Sequence, residues 1–178
     1  MNRKKLINRI VNILLVLAII GFIGNYIYRL PKFGDGDTVP GFQAQLIDGS
    51  NFDSKQLNGD YVLLDFWGSW CGPCRRESPQ LVALHNQFKN QKFTDANAFH
   101  IVSVAIETNE RSWKKAIQSD QLEWPYHIVQ TDRFKGPIAK QYGVREIPTK
   151  YLLDTNGSVL MVNPSFDEIT AFLNEKSK

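Results

Sequence analysis

The 178-residue sequence contains few of the side chains that bind metals. It has two cysteines and three histidines, and the histidines lack the paired spacing of metal ligands. Because a structural zinc site needs four ligands, we predict no metal, and no other cofactor is indicated. The sequence also lacks internal repeats and low-complexity tracts, and its length fits one ordinary domain with an appendage. A protein of several domains is therefore excluded.

Acidic residues are absent from the first 32 positions, which carry six basic side chains. These are Arg3, Lys4, Lys5, Arg9, Arg29 and Lys32. The remaining sequence has 15 basic and 18 acidic residues, so its formal charge is −3 although the whole chain has +3. Binding of a nucleic-acid backbone requires basic residues clustered on the folded domain. We therefore predict no nucleic-acid partner.

Charged residues are also absent from residues 10–28, an apolar stretch long enough to span a membrane as a helix. No small-x-small cleavage motif follows, which favours a signal anchor over a cleaved signal peptide. Four basic residues precede the stretch and two follow it, so the N-terminus is expected in the cytoplasm. The alternative is an ordinary buried helix. We predict a cytoplasmic basic segment (1–9), a transmembrane anchor (10–28), a tether (29–38) and a folded domain (39–178) on the extracytoplasmic, periplasmic side of the cytoplasmic membrane.

Strand and helix patterns alternate along the folded domain. Residues 42–47 alternate apolar and polar side chains before a turn at Asp48-Gly49, which predicts a hairpin with a second strand near Phe52. The apolar runs 61–67, 100–106 and 149–153 predict strands that are covered on both faces. Helical spacing predicts two helices between these strands, one with Leu81, Leu84 and Phe88 on its apolar face and one with Trp113, Ala116 and Ile117.

The C-terminal part contains a turn signal and a helix start. Asn156-Gly157 predicts a type I′ hairpin turn, in which both central residues have positive φ. Ser165 and Glu168 have capping-box spacing and predict the start of the last helix. The order of these elements predicts an α/β sandwich with a mixed sheet.

The two cysteines, Cys71 and Cys74, directly follow the apolar run that ends at Trp67. A thiolate at the start of a helix is stabilised by unpaired N–H groups and the helix dipole, so it becomes nucleophilic near neutral pH. We expect Cys71 at the exposed helix start and Cys74 one turn deeper. Gly72 permits close approach by a partner, and Pro73 suits the first helical turn. A structural zinc site and an inert disulfide are the alternatives to this redox site.

Two segments carry a resemblance to thioredoxin. Residues 64–74 (LDFWGSWCGPC) resemble its active-site strand and loop, and residues 142–149 (YGVREIPT) resemble the segment with its cis-proline. The apolar anchor, the leading hairpin and the extra α/β material at residues 107–131 resemble more narrowly the anchored TlpA/ResA type. This resemblance, which covers residues 38–178, implies a thioredoxin-like α/β sandwich with a central mixed sheet, an N-terminal hairpin, a central α/β insertion and one preceding transmembrane helix.

The resemblance also implies roles for individual residues. Cys71 matches the nucleophile, Cys74 the resolving thiol and Pro148 the cis-proline, which would leave the Ile147 backbone to pair with an extended client. Asp65 matches the buried acid of thioredoxin, and burial in an apolar strand should raise its pKa so that it accepts the Cys74 proton.

Three further residues are site candidates. Glu77 matches an active-site glutamate of ResA-type proteins, although an acid in the first turns of a helix is also favourable with the dipole alone. Trp70 is expected to flank the site as an apolar docking surface. Glu146 stands where thioredoxin has glycine, and it is expected to disfavour the Cys71 thiolate or to select cationic clients.

The resemblance implies a thiol-disulfide oxidoreductase that uses a redox-active Cys71–Cys74 disulfide on protein clients. No histidine separates the cysteines, and the three acids Asp65, Glu77 and Glu146 add negative charge nearby, so we expect a reductant. A reductant outside the cytoplasm needs a transmembrane thiol electron donor, and some members of the type serve cytochrome c maturation. The alternative function is a copper or haem-delivery accessory protein that uses the same thiols as ligands.

Overall fold

The computed structural model describes residues 3–178, except for the side chain of Lys5. The chain forms two compact units, and the boundary between them in the sequence lies between Leu30 and Pro31. The first unit consists of helix α1 (Arg3–Arg29), whose described side chains are exposed. Within it, Leu6–Arg29 is the one helical segment of the described chain that is long and apolar enough to cross a membrane. It extends beyond the predicted residues 10–28 at both ends.

The second unit, Pro31–Lys178, is built on a five-stranded sheet with the order β5-β4-β3-β6-β7. The strands are β3 (Tyr61–Trp67), β4 (Phe99–Ile106), β5 (Tyr126–Gln130), β6 (Thr149–Leu153) and β7 (Val159–Val162). Strand β3 is central, pairing in parallel with β4 and antiparallel with β6. The predicted mixed sheet is therefore confirmed, and every residue of β3 is buried as its apolar run predicts.

Helices cover both faces of the sheet, and the sheet separates the core into two clusters. The helices are α2 (Gly72–Phe88), α3 (Glu110–Ser119), α4 (Pro137–Gln141) and α5 (Phe166–Lys176). Leu63 and Trp67 of β3 pack in the cluster that contains Leu81 of α2, whereas Leu64 and Phe66 pack in the other cluster. Since successive residues of a strand point to opposite faces, Asp65 lies on the same face as Leu63 and Trp67.

The N-terminal hairpin is formed by β1 (Gln43–Gln45) and β2 (Asn51–Asp53), as predicted. It lies near one edge of the main sheet, where the Ile47 N–H donates to the His127 carbonyl of β5 at 3.0 Å. The preceding segment lies along the opposite edge. There, the Val159 N–H of β7 donates to the Asp37 carbonyl (2.8 Å), and the Val159 carbonyl accepts from Gly36 N–H (2.7 Å). The chain before β3 therefore covers parts of both edge strands.

The turn between β6 and β7 differs from the predicted type I′ geometry. Of the two residues predicted to be central, Asn156 and Gly157, only Gly157 has positive φ (79°). The Asp154 carboxylate accepts the N–H groups of Asn156 and Ser158, both at 2.8 Å, and the Gly157 N–H donates to the Asp154 carbonyl at 3.1 Å. This side-chain bonding stabilises a turn with one left-handed residue, so the type I′ prediction is wrong although the hairpin is present.

Candidate active site

A disulfide joins Cys71 and Cys74 at the start of α2. Cys71 is the N-cap, and its Sγ accepts the Cys74 N–H at 3.2 Å, while Pro73 occupies the first turn. Both cysteines are buried, with exposed fractions of 4% and 3%, so the predicted contrast between an exposed and a deeper cysteine is wrong. The two cysteines differ instead in hydrogen bonding. The Cys71 Sγ accepts an N–H group of the helix, which would stabilise its thiolate.

The loop before Cys71 presents Trp70 at the surface, with 48% of the residue exposed. Its Nε1–H donates to the Ile106 carbonyl at 2.7 Å, and the Arg133 guanidinium lies 5.1 Å from the ring centroid. Gly68 makes this arrangement sterically feasible, because an added Cβ there would lie 2.9 Å from the Trp70 Nε1 and 3.1 Å from the Ile106 oxygen. The indole is thus fixed in place while a large part of it remains accessible.

The segment before β6 lies against the disulfide. The Ile147–Pro148 peptide bond is cis, as the resemblance implied. The Ile147 carbonyl oxygen lies 3.8 Å from the Cys71 Sγ, which explains part of the burial of that sulfur. Glu146 is exposed, and its carbonyl accepts the Thr149 hydroxyl at 2.8 Å.

Asp65 is buried in the middle of the central strand, 2% exposed. The Ser103 hydroxyl of β4 lies 3.5 Å from its Oδ2 and accepts the Trp124 Nε1–H at 3.0 Å. Burial raises the pKa of Asp65 to about 7, with a smaller rise from Glu77 and opposing effects of Lys150 and the Ser103 hydroxyl. The direction agrees with the prediction from its apolar strand, and the pKa suits a group that exchanges protons near neutral pH.

Glu77 has a basic partner that sequence analysis missed. The Lys150 Nζ of β6 donates to the Glu77 Oε2 at 2.6 Å, and the exposed fractions of the two side chains are 6% and 29%. The negative charge that was expected from Glu77 near the cysteines is therefore balanced by the Lys150 ammonium group. Lys150 could have been noticed as a charged residue within an apolar run, the same signal that identified Asp65.

Asp65, Cys74 and Glu77 line one narrow cavity between the sheet and α2. Trp67, Ser78, Leu81 and Leu122 complete its lining. The enclosed space is too small for an ordered water molecule. The structure therefore brings the predicted acid, the second cysteine and the predicted glutamate together in largely dry surroundings, with Glu77 at the more exposed position.

Two further polar residues hold the loop before Cys71 and were not predicted. The buried Glu107 accepts the Ser69 N–H on its Oε1 at 2.5 Å. Arg75, which follows Cys74, donates to the Ser69 carbonyl at 3.3 Å and forms an ion pair with Asp120 at the C-cap of α3. Glu107 directly follows the apolar run of β4, so its position at the end of a central strand was the available sequence signal.

The fold and the disulfide at the start of α2 define a thioredoxin-like thiol-disulfide oxidoreductase. The AhpC/TSA family model matches residues 36–162, more than half of the chain, and the protein belongs to this family. The match includes the strand that carries Asp65, both cysteines and the cis-proline segment.

More specific similarities point to the ResA type. The chain is 27% identical over 162 residues to the thiol-disulfide oxidoreductase ResA of Bacillus thuringiensis subsp. konkukian, covering 90% of this chain and 88% of the relative. It is 29% identical over 153 residues to ResA of Bacillus subtilis, covering 83% and 80%. Among solved structures, the thioredoxin domain of a thiol-disulfide oxidoreductase from Bacteroides vulgatus matches with a TM-score of 0.70 and 27% identity, covering 81% of this chain and 98% of that one.

Proposed function

We propose that this protein reduces disulfide bonds of protein clients outside the cytoplasm while it is anchored to the membrane by α1. The observation that carries the proposal is the position of the Cys71–Cys74 disulfide, at a helix N-cap beside the half-exposed Trp70 and the Ile147 carbonyl. These neighbours provide an apolar contact and a backbone acceptor, which are the elements needed to dock an extended polypeptide next to a reactive thiol.

The first step is the attack of the reduced Cys71 on a client disulfide. The thiolate at the N-cap is stabilised by the Cys74 N–H and by the dipole of α2, a helix of 17 residues. Its sulfur forms a bond with one client sulfur, and the other client sulfur leaves as a thiolate. The result is a mixed disulfide between Cys71 and the client.

The second step is the release of the client by Cys74. Asp65 accepts the Cys74 proton, and the resulting thiolate attacks the Cys71 sulfur. The bond between Cys71 and the client breaks, and the client leaves as a second thiolate. Two electrons have then moved to the client, and the Cys71–Cys74 disulfide has formed. Asp65 is suited to this role because it lines the same cavity as Cys74 and titrates near pH 7.

Client binding is assigned to the surface around the disulfide. Trp70 provides the apolar contact, the Ile147 backbone pairs with the extended client, and Gly72 and Pro73 leave the helix start accessible because both are exposed. Glu146 is exposed beside this surface and favours clients with basic side chains near the target disulfide.

The cellular setting rests on α1 and on the relatives. Leu6–Arg29 has the length and composition of a membrane span, and the basic residues before it favour a cytoplasmic N-terminus. A reductase on the outer side must be reduced again, so a transmembrane thiol electron donor is part of the proposal. Because some members of the TlpA/ResA type serve cytochrome c maturation, this is the process that we propose for the protein.

The reducing role is tested by the equilibrium of the full chain, in detergent micelles, with defined thiol redox buffers. We expect a reduction potential near that of thioredoxin, about −270 mV. A potential near about −120 mV, that of the strong oxidant DsbA, would show that the protein oxidises its clients instead.

The location is tested in intact, reduced cells with a membrane-impermeant thiol reagent, after removal of any outer membrane. We expect Cys71 to be labelled, while a Cys71→Ser/Cys74→Ser variant controls for other labelled groups. If Cys71 becomes reactive only after the cytoplasmic membrane is broken, the proposed topology is wrong.

A further inference from the structure

Lys150 occupies an unusual position for a charged residue. It lies directly opposite Asp65 in the antiparallel pairing of β3 and β6, so both side chains are on the face of the sheet that is covered by α2. Its side chain is only 6% exposed, and its Nζ lies 5.5 Å from the centre of the Phe166 ring of α5. A buried ammonium group is costly unless it is paired, so its partners define its role.

The charged and titratable groups around Asp65 come from two elements. Lys150 of β6 faces it from the neighbouring strand, and Cys74 and Glu77 of α2 line the same cavity. The neutral polar neighbours are Ser103 of β4, Ser78 of α2 and the indole of Trp67 in β3. The Ser78 hydroxyl donates to Asp120 at 3.0 Å, and that carboxylate is paired with Arg75.

The local charge balance changes with the proton on Asp65. With Asp65 protonated, Lys150 and Glu77 form a neutral pair. With Asp65 ionised, two carboxylates share one ammonium group in surroundings with little water. Lys150 therefore favours the ionised form of Asp65 and Glu77 opposes it, in agreement with the directions of their effects on the pKa of Asp65.

We infer that Lys150 is a positioning residue for the release of the client: its ammonium group holds the Glu77 carboxylate at the edge of the cavity and supplies the positive charge that keeps Asp65 able to accept the Cys74 proton. This inference rests on the proposed function, because it concerns the second step of that reaction. Lys150 does not touch the reacting sulfurs in this role, and it acts through Asp65 and Glu77.

The step balances in protons and electrons. The Cys74 thiol transfers its proton to the Asp65 carboxylate, the Cys74 sulfur forms the bond to the Cys71 sulfur, and the client thiolate leaves and takes a proton from water. The proton that Asp65 has accepted then passes to the solvent.

The inference predicts opposite effects for the two partners of the ion pair. In Lys150→Met, the apolar stem is retained and the charge is lost, so the pH midpoint of client release should rise by about one unit or more. With a rise of one unit from about pH 7, release at pH 7 slows about fivefold, since fewer molecules have an ionised Asp65. In Glu77→Gln, a negative charge is removed and the midpoint should fall.

Both steps can be followed with a chromogenic aromatic disulfide, dithiobis(nitrobenzoate), and the reduced full chain in detergent micelles. Attack by Cys71 releases the first aromatic thiolate at a rate that depends on reagent concentration. Closure of the Cys71–Cys74 disulfide releases the second at a rate that does not. Stopped-flow absorbance from pH 5 to pH 9 gives the pH profile of each phase.

The matched control is Lys176→Met, because Lys176 also pairs with an acid, Asp95 (2.9 Å), and lies over a ring, Phe172 (6.0 Å), at the far end of α5. It should leave both phases unchanged. Lys150→Arg retains the charge and should keep the wild-type midpoint. If Lys150→Met does not fold, the fall in midpoint in Glu77→Gln and the unchanged midpoint in Lys150→Arg still test the inference.

The outcomes separate this inference from the proposed function. A slower second phase with an unchanged midpoint in Lys150→Met, or shifts of the same sign in both variants, would show that Lys150 has only a structural role. Failure of the wild-type reduced chain to cleave the disulfides of insulin would instead overturn the proposed function, whatever the second phase shows.

Discussion

Replacing Asp65 with Asn should stabilise the folded, oxidised protein at alkaline pH. Asparagine has the size of a protonated aspartic acid and can still accept the Ser103 hydroxyl, so the packing of the central strand is preserved. The wild-type carboxyl must instead ionise in buried surroundings when the pH is high. The variant therefore avoids the unfavourable ionisation of a buried carboxyl group, which the wild type needs in order to have a proton acceptor at this position.

The magnitude follows from the difference between the pKa of Asp65 in the two states. The ordinary value is 3.8, and burial raises the pKa in the folded state to about 7. Because a difference of one pKa unit corresponds to about 1.4 kcal/mol, the full difference in the free energy of unfolding is on the order of 4 kcal/mol. The folded state binds this proton more tightly, so the stabilisation from protonation is complete below about pH 4 and is lost as the pH rises through about 7.

The assay is unfolding of the full chain by guanidinium chloride in detergent micelles at pH values from 4 to 9. The free-energy difference between Asp65→Asn and the wild type should be near zero at pH 4 and largest above pH 8. As a control, Asp95→Asn should have the opposite sign at neutral pH, because hydrogen bonds from Tyr61 and Lys176 lower the pKa of that carboxyl. The stability contributed by Asp95 is present above its ordinary pKa and is lost as the pH falls.

A difference between Asp65→Asn and the wild type that is the same from pH 4 to pH 9 would refute this reasoning. It would mean that Asp65 titrates in the folded protein as it does in the unfolded chain. Its assignment as the acceptor of the Cys74 proton would then lose its electrostatic basis.

Two further predictions concern the reaction itself. In Cys74→Ser, mixed disulfides with clients should accumulate on Cys71 and be visible by non-reducing electrophoresis, whereas Cys71→Ser should form none; adducts on Cys74 alone would reverse the assignment. In Trp70→Ala, the KM for a protein client should rise about thirtyfold, which corresponds to about 2 kcal/mol for a buried aromatic anchor, while the reaction with dithiothreitol stays unchanged. Equal losses with both substrates would show that Trp70 supports the loop rather than the client.

Local patterns were sufficient to predict most of the fold. The apolar runs at 61–67 and 149–153 are strands with those bounds in the structure. The capping box predicted for Ser165 and Glu168 is also present, with both of its hydrogen bonds. These features depend on residues close together in the chain, which is why the sequence alone reveals them.

The parts of the site that were missed depend on pairings between distant residues. Lys150 acquires its role only because β6 pairs antiparallel with β3 in the register that places it opposite Asp65. The burial of Cys71 likewise depends on the approach of Ile147, which belongs to a distant part of the chain. In the turn at Asn156, the Asp154 side chain competes with the expected backbone geometry, a contribution that the dipeptide pattern does not include.

The backbone bonds at the two edges of the sheet have a consequence if the protein is held at a membrane surface, as we propose. Confinement in two dimensions raises the frequency of collisions between copies, and unpaired edge strands are templates for aggregation. Here, Gly36 and Asp37 occupy the edge at Val159, and Ile47 bonds to the opposite edge at His127. The chain between α1 and β3 thus protects parts of both edges of the sheet against self-association. The proposed site for strand pairing with another molecule is instead residues 146–148, where the client docks.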